Sequence, residues 1–193
     1  MKRIKIILFL LCTCLFISPV NAKEINHFYT ENNDTVTLNA TVNSSAALLG
    51  EKINAEGKVN GILFSLGSEI SLLGETDYAA LAGNTVKTSG HIIKDALLVG
   101  NNVEVENAIF ERDVLITATN TKISGVFNRD VIIIGQIVDL SNVTINGDIK
   151  LYASNITINE NTKINGILSN LPKESKDALE KIFEVIDKSL DKI

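Results

Sequence analysis

The sequence predicts an all-β chain: a single parallel β-helix, a solenoid of about eight coils, followed by a C-terminal α-helix. Three observations predict it. One residue type recurs at near-constant spacing, at Asp77, Asp95, Asp113, Asp130 and Asp148, with steps of 18, 18, 17 and 18 residues. After each ladder residue, apolar positions recur with period two, the mark of a strand with one face turned inward. Asn and Gly crowd the joints, while the 193-residue chain holds only two prolines and no Trp. The mix suits short strands separated by tight turns. Small residues continue the ladder at Ser45 and Gly61 before it and Gly166 after it, so the period is 16 to 18 residues. That length admits two or three short strands per turn and no crossover helix. The strands must therefore stack in parallel, coil on coil. Eight coils at the strand spacing make a rod of about 38 Å.

Residues 1–22 read as a signal peptide. Lys2, Arg3 and Lys5 form a positive start, Ile6 to Ile17 an apolar stretch, and Val20-Asn21-Ala22 a cleavage site after Pro19. The apolar stretch is short for a membrane span, which needs roughly 20 residues. The expected location is extracytoplasmic, secreted or associated with the cell envelope; a membrane attachment follows only if the leader stays uncleaved. Both cysteines, Cys12 and Cys14, lie in this leader. Neither follows the small residue that a lipoprotein cysteine requires. A cleaved chain would carry no disulfide and no thiol chemistry.

Residues 23–44 form an N-terminal segment or cap, and residues 45–169 the coils. Aligned on the ladder, the next residues are Ala46, Ile62, Tyr78, Ala96, Val114, Val131, Ile149 and Ile167. Two further on stand Leu48, Phe64, Ala80, Leu98, Ile116, Ile133 and Leu151, and two beyond those Gly50, Leu66, Ala82, Gly100, Ala118, Gly135 and Ala153. These positions are expected to face the core. A second strand follows in most coils, as in Val103-Glu104-Val105 and Val143-Thr144-Ile145. Asn and Gly suit the corners because they tolerate left-handed backbone angles, and stacked Asn side chains can bond from rung to rung.

Residues 170–193 change period. Leu179, Ile182, Phe183, Ile186, Leu190 and Ile193 fall at helical spacing, and Pro172 suits a first turn. The polar positions mix five basic and six acidic residues between Pro172 and Ile193. A membrane-surface helix would be basic. The readings are a cap on the open coil end, a helix lying on an apolar face, or a partner contact.

Val59-Asn60-Gly61-Ile62-Leu63-Phe64, Val143-Thr144-Ile145-Asn146-Gly147-Asp148-Ile149 and Ile164-Asn165-Gly166-Ile167-Leu168 resemble the repeat of the bactofilins, the polymer-forming cytoskeletal family. The resemblance covers about residues 45–168. It implies a small parallel β-helix that polymerises end to end without nucleotide and scaffolds other envelope proteins. The leader departs from the usual cytosolic form, so the chain is more similar to exported proteins carrying such repeats.

The ladder residues Asp77, Asp95, Asp113, Asp130 and Asp148 admit two readings. Stacked carboxylates can bind Ca²⁺ or act as acid and base on a polysaccharide. Alternatively each ends a corner and accepts backbone N–H bonds, and the regularity favours this structural role. Two ionised carboxylates one rung apart repel by about 0.9 kcal/mol in water. Lys94, Arg112 and Arg129, directly before three of them, would offset this. His27 and His91 fit no metal-ligand spacing and read as surface residues. No catalytic, cofactor-binding or metal-ligating set is assigned, and the chain is expected not to be an enzyme.

The opposite parity defines a candidate interface. It comprises Leu63, Leu81, Leu97, Val99, Leu115, Ile132 and Ile134, apolar positions expected to face outward. Strands apolar on both faces are covered on both. The cover is either another molecule, by self-association or partner binding, or the protein's own terminal segments. Without its leader the chain would set 15 basic against 23 acidic residues, a balance of −8. That argues against nucleic acid. The expected partners are further copies, an envelope protein or a polysaccharide. The functional expectation is a scaffold of the cell envelope, with a carbohydrate- or surface-binding module as the alternative.

Overall fold

The computed structural model describes residues 25–30 and 35–170; the leader and the C-terminal helix inferred from sequence lie outside these residues. The described chain is all β: a parallel solenoid of about eight turns. Its strands are β1 (Ile25–Thr30), β2 (Thr35–Leu38), β3 (Thr41–Val42), β4 (Ser45–Leu49), β5 (Lys52–Ala55), β6 (Lys58–Leu72), β7 (Glu75–Thr88), β8 (His91–Ile92), β9 (Ala96–Phe110), β10 (Val114–Phe127), β11 (Val131–Ile145), β12 (Ile149–Ile158), β13 (Lys163–Ile164) and β14 (Leu168–Asn170). Long strands such as β6 bend round the corners, so one strand supplies several sides of a coil.

Each coil has three sides, and the pairing register defines an inward column on each. On the first side Ala46, Leu63, Ala79, Ala96, Val114, Val131, Ile149 and Leu168 stack in turn. On the second stand Val36, Ile53, Ile70, Val86, Val103, Thr121, Val138 and Ile156. On the third stand Val42, Val59, Thr76, Ile92, Phe110, Phe127, Ile145 and Ile164. Side chains from all three meet in one apolar core. Within it Phe110 and Phe127 stack with ring centroids 4.7 Å apart and planes at 8°. Such a pair contributes about 1 kcal/mol beyond its buried area.

A second inward column on the first side is uniformly small: Gly50, Gly67, Gly83, Gly100, Ala118, Gly135 and Ala153. A Cβ on Gly100 would lie 2.9 Å from the Gly83 carbonyl oxygen. The chain bends there against the rung before it, which is why bulky side chains are excluded.

This register corrects the sequence alignment in three coils, those aligned on Gly61, Asp77 and Gly166; in the last, Leu168 takes the inward column expected for Ile167, which is 67% exposed. Leu63 and Leu81, expected outside, are 1% exposed and belong to the core. Ile62, Phe64 and Leu66, expected inside, are 38%, 38% and 36% exposed. The cause is unequal coil length: inward Ala46 and Leu63 are 17 residues apart, one more than Ser45 and Gly61, and Ile149 and Leu168 are 19 apart, one more than Asp148 and Gly166. Val59 and Ile62 pair with Thr76 and Tyr78, so the corner holding Asp77 is one residue shorter than its predecessor. Gly61, Asp77 and Gly166 sit one place too early to share the ladder column, although their spacing matches it.

The corners also differ from expectation in their backbone. Among the described residues, positive φ occurs at Asn107 (54°), Asn142 (55°) and Gly125 (106°) only. The other corner asparagines serve through side-chain bonds instead. Examples are Asn60 to Asn43 at 2.9 Å, Asn101 to Asn84 at 2.7 Å and Asn146 to Asn128 at 2.8 Å.

Candidate functional site: corner ladder and outer faces

Four ladder carboxylates share one column and one job. Asp95 accepts the backbone N–H of Asp113 at 3.4 Å, Asp113 that of Asp130 at 3.3 Å, and Asp130 that of Asp148 at 2.9 Å. Asp148 accepts the N–H of Ile167 at 2.8 Å. Ser45 does the same with its hydroxyl, accepting from Ile62 at 3.1 Å. The slot thus needs a short acceptor that reaches the next rung.

Cations sit between the rungs. Arg112 Nε lies 3.5 Å from Asp95 and Arg129 Nε 3.4 Å from Asp113. Each Arg precedes one Asp in sequence and meets the Asp of the previous coil, which relieves the stacking of like charge. Asp77, out of column, instead pairs with Lys94 at 3.2 Å, and the same ammonium lies 4.8 Å from the centre of the Tyr78 ring. Carboxylates engaged in this way hold corners together.

A second polar chain runs along the third side, crossing from the column of Lys58, Glu75 and His91 to that of Glu111 and Asn128, and unread in the sequence because its members differ in type. Lys58 meets Glu75 at 2.7 Å. Glu75 lies 3.6 Å from His91 Nδ1, and His91 Nε2 lies 3.0 Å from Glu111. Asn128 donates to Glu111 at 2.7 Å, Asn146 to Asn128 at 2.8 Å and Asn165 to Asn146 at 2.7 Å. His91 is therefore no isolated surface residue. The hydrogen bond from Lys58 holds the Glu75 carboxyl below the usual range, aided by its charge and by His91. The bonds from Asn128 and then His91 lower Glu111. Glu75 in turn raises Lys58. Among the described residues no cluster of His, Cys, Asp or Glu is arranged to hold a metal ion.

The outer faces of the three sides differ sharply. The second carries Lys52, Glu69, Lys87, Glu104, Lys122 and Asp139, with Lys87 and Glu104 paired at 2.8 Å. A shallow depression of about 530 Å³ opens there, lined by Lys52, Asn54, Glu69, Lys87, Asn102 and Glu104. The third carries the polar column. Beside the ladder column, in which Ile62 and Tyr78 precede the Asp residues, the first is free of charge across five rungs: Phe64 and Leu66; Ala80 and Ala82; Leu97 and Val99; Leu115 and Thr117; Ile132 and Ile134; on the sixth, Lys150 stands beside Tyr152. Leu115 is 37% exposed, and Leu97, Val99, Ile132 and Ile134 are half-buried. Five of the seven candidate interface residues thus lie on one face. Ile62, Phe64 and Leu66 replace the other two. The evenness of the small-residue column, which appears only in the correct register, is the signal that would have placed them.

The two ends also differ. In the first coil Val36, Leu38, Val42, Ala46 and Leu48 are no more than 3% exposed. In the last, Leu168 and Ile158 occupy inward columns yet are 45% and 43% exposed, and Ile167 is 67% exposed. No helix among the described residues is long and apolar enough to cross a membrane.

The chain matches no family model, no curated protein and no solved structure.

Proposed function

We propose that this protein is a non-enzymatic, exported scaffold of the cell envelope that assembles through its coil ends, as the bactofilin-like repeat implies. The observation that carries the reading is the exposed last coil. Inward-facing Leu168 and Ile158 reach half exposure at one end of an otherwise dry core. A solenoid end of this kind presents apolar side chains and strand edges that another rung can cover. The ladders continue to that end, where Asn165 is the last described member of the Asn column and Asp148 accepts the backbone N–H of Ile167 in the last rung. A further coil from a second molecule would extend both. The carboxylates of the ladder are committed to backbone and Arg contacts, which supports a structural over a hydrolytic role.

Electron microscopy and sedimentation of residues 23–193 test this. Concentration-dependent rods or filaments are expected, and Leu168→Asp with Ile158→Asp abolishes them while the coils stay folded. Monomers at every concentration overturn the reading.

The polar depression on the second side supports the alternative, a carbohydrate-binding module. Saturable retention on cell-wall polysaccharide, lost with Asn102→Ala and unaccompanied by a change in size, would favour it.

A further inference from the structure

We infer that two copies of this protein pair side by side through their second sides, with the rods antiparallel and related by a two-fold axis. The contact lies on a surface separate from the coil ends.

The order of charge selects the second copy as the occupant. On six successive rungs the two outward columns of the second side hold one charge each, in turn Lys52, Glu69, Lys87, Glu104, Lys122 and Asp139. The sign alternates at every step, and the other outward positions on these rungs are uncharged. The rungs beyond carry Thr35 and Thr37 at one end and Asn155 and Thr157 at the other, so the row is centred on the face.

Such a row is its own complement when reversed. With rods antiparallel and the two-fold axis between the rungs of Lys87 and Glu104, Lys87 directly faces the second copy's Glu104. Glu69 falls on the rung opposite Lys122, and Lys52 on the rung opposite Asp139, each one column, about 7 Å, to the side. Long Lys and acidic side chains bridge that offset. Parallel rods related by a two-fold axis would instead set like charges on all six facing rungs. Alternation therefore selects one orientation and penalises the other.

Pairing within one rod leaves these charges accessible. Lys52 and Glu69 stand 3.7 Å apart and Lys87 and Glu104 2.8 Å, yet all four side chains are at least half exposed. The third neighbouring pair is not made. Asp139 accepts from the Ser141 hydroxyl at 2.5 Å, which leaves exposed Lys122 without an ion pair among the described residues.

Shape agrees with charge. Ile137 is 48% exposed and is the one large apolar side chain in these two columns among the described residues. Antiparallel pairing sets it opposite Lys52, at the depression that Lys52, Asn54 and Glu69 help to line. It would pack there on the methylene stem of the lysine. A polysaccharide accounts for neither feature. A neutral glycan has no use for alternating charge, and a polyanion would meet a carboxylate on every second rung.

The test is sedimentation of the full chain under reducing conditions, with and without the pair Leu168→Asp and Ile158→Asp that blocks the coil ends. Side-by-side pairing and end-to-end assembly are then read separately. A monomer–dimer equilibrium is expected when the ends are blocked, shifted toward monomer at about 1 M salt. Glu69→Lys alone, or Lys122→Glu alone, sets like charges on facing rungs and should weaken the dimer about tenfold or more. An equimolar mixture of these two variants should restore it, because opposite charges again face each other on both rungs. Restoration also shows that both variants are folded. Absence of side-by-side dimers at every concentration, dimers unaffected by either substitution, or a mixture that associates no more tightly than its components overturns the inference.

Discussion

The carboxylate of Asp130 accepts the backbone N–H of Asp148, one coil further along, at 2.9 Å. The residue that makes the repeat visible in the sequence is thus the residue that ties successive corners together. Asp130→Ala removes the acceptor and leaves the Asp148 N–H to solvent, and is expected to destabilise by about 1 kcal/mol. Asp130→Asn keeps an acceptor and is expected to lose less than half of that. Chemical denaturation of the three proteins measures the order. Equal stabilities would show that the bond adds nothing.

Leu81 and Leu115 separate the two faces of the first side. Leu81 is 1% exposed and Leu115 37%. Leu81→Ala opens a cavity and should cost about 2–5 kcal/mol. Leu115→Ala removes surface contacts and should cost under about 1 kcal/mol. The reverse order would refute the register described here.

Ser65 occupies an inward column, fully buried, and its hydroxyl has no hydrogen-bond partner. An unsatisfied buried hydroxyl costs about 1–3 kcal/mol. Ser65→Ala should therefore raise the melting temperature, by about 2–4 °C for each kcal/mol recovered in a domain of this size. A lower melting temperature would mean that the hydroxyl is bonded, for instance through water.

Glu75 and Glu111 both hold carboxyls lowered from the ordinary 4.5. A lowered folded value means that the charged form is favoured by folding. The contribution is present above the ordinary value and is lost as pH falls through the depressed one. Because both side chains are largely solvated, screening keeps the effect small. Glu75→Gln with Glu111→Gln should flatten the stability profile below about pH 4.5 and leave the ladder of Asp residues unaffected. An unchanged acid limb would place the acid sensitivity elsewhere.

Lysine at Leu97 and Ile132 tests what the apolar face does. With Leu97→Lys and Ile132→Lys the coils should still fold, because both side chains point outward. Assembly through the coil ends should then be unaffected, so that rods seen by electron microscopy match those of the parent chain. Loss of the rods would move the assembly contact to this face.

Much of the architecture was legible because a solenoid is nearly one-dimensional. Each coil contacts only its neighbours, so periodic Asp, alternating apolar residues and Asn-Gly joints suffice to announce the repeat. The stacking of Asp95, Asp113, Asp130 and Asp148, and the cations Arg112 and Arg129 beside it, follow from spacing alone. What spacing could not reveal was the register in the coils of Gly61, Asp77 and Gly166. There Ile62-Leu63-Phe64 is apolar at every position, so alternation is silent. A slip of one residue in register turns every side chain of the strand to the other face. The Lys58–Glu75–His91–Glu111 chain was equally hidden, since no residue type repeats along it. The sequence by itself determined a parallel stack of about eight coils and the residues that punctuate it. Only the tertiary structure decided which parity fills the core, because that depends on the length of each corner and on the space that the neighbouring rung leaves for it.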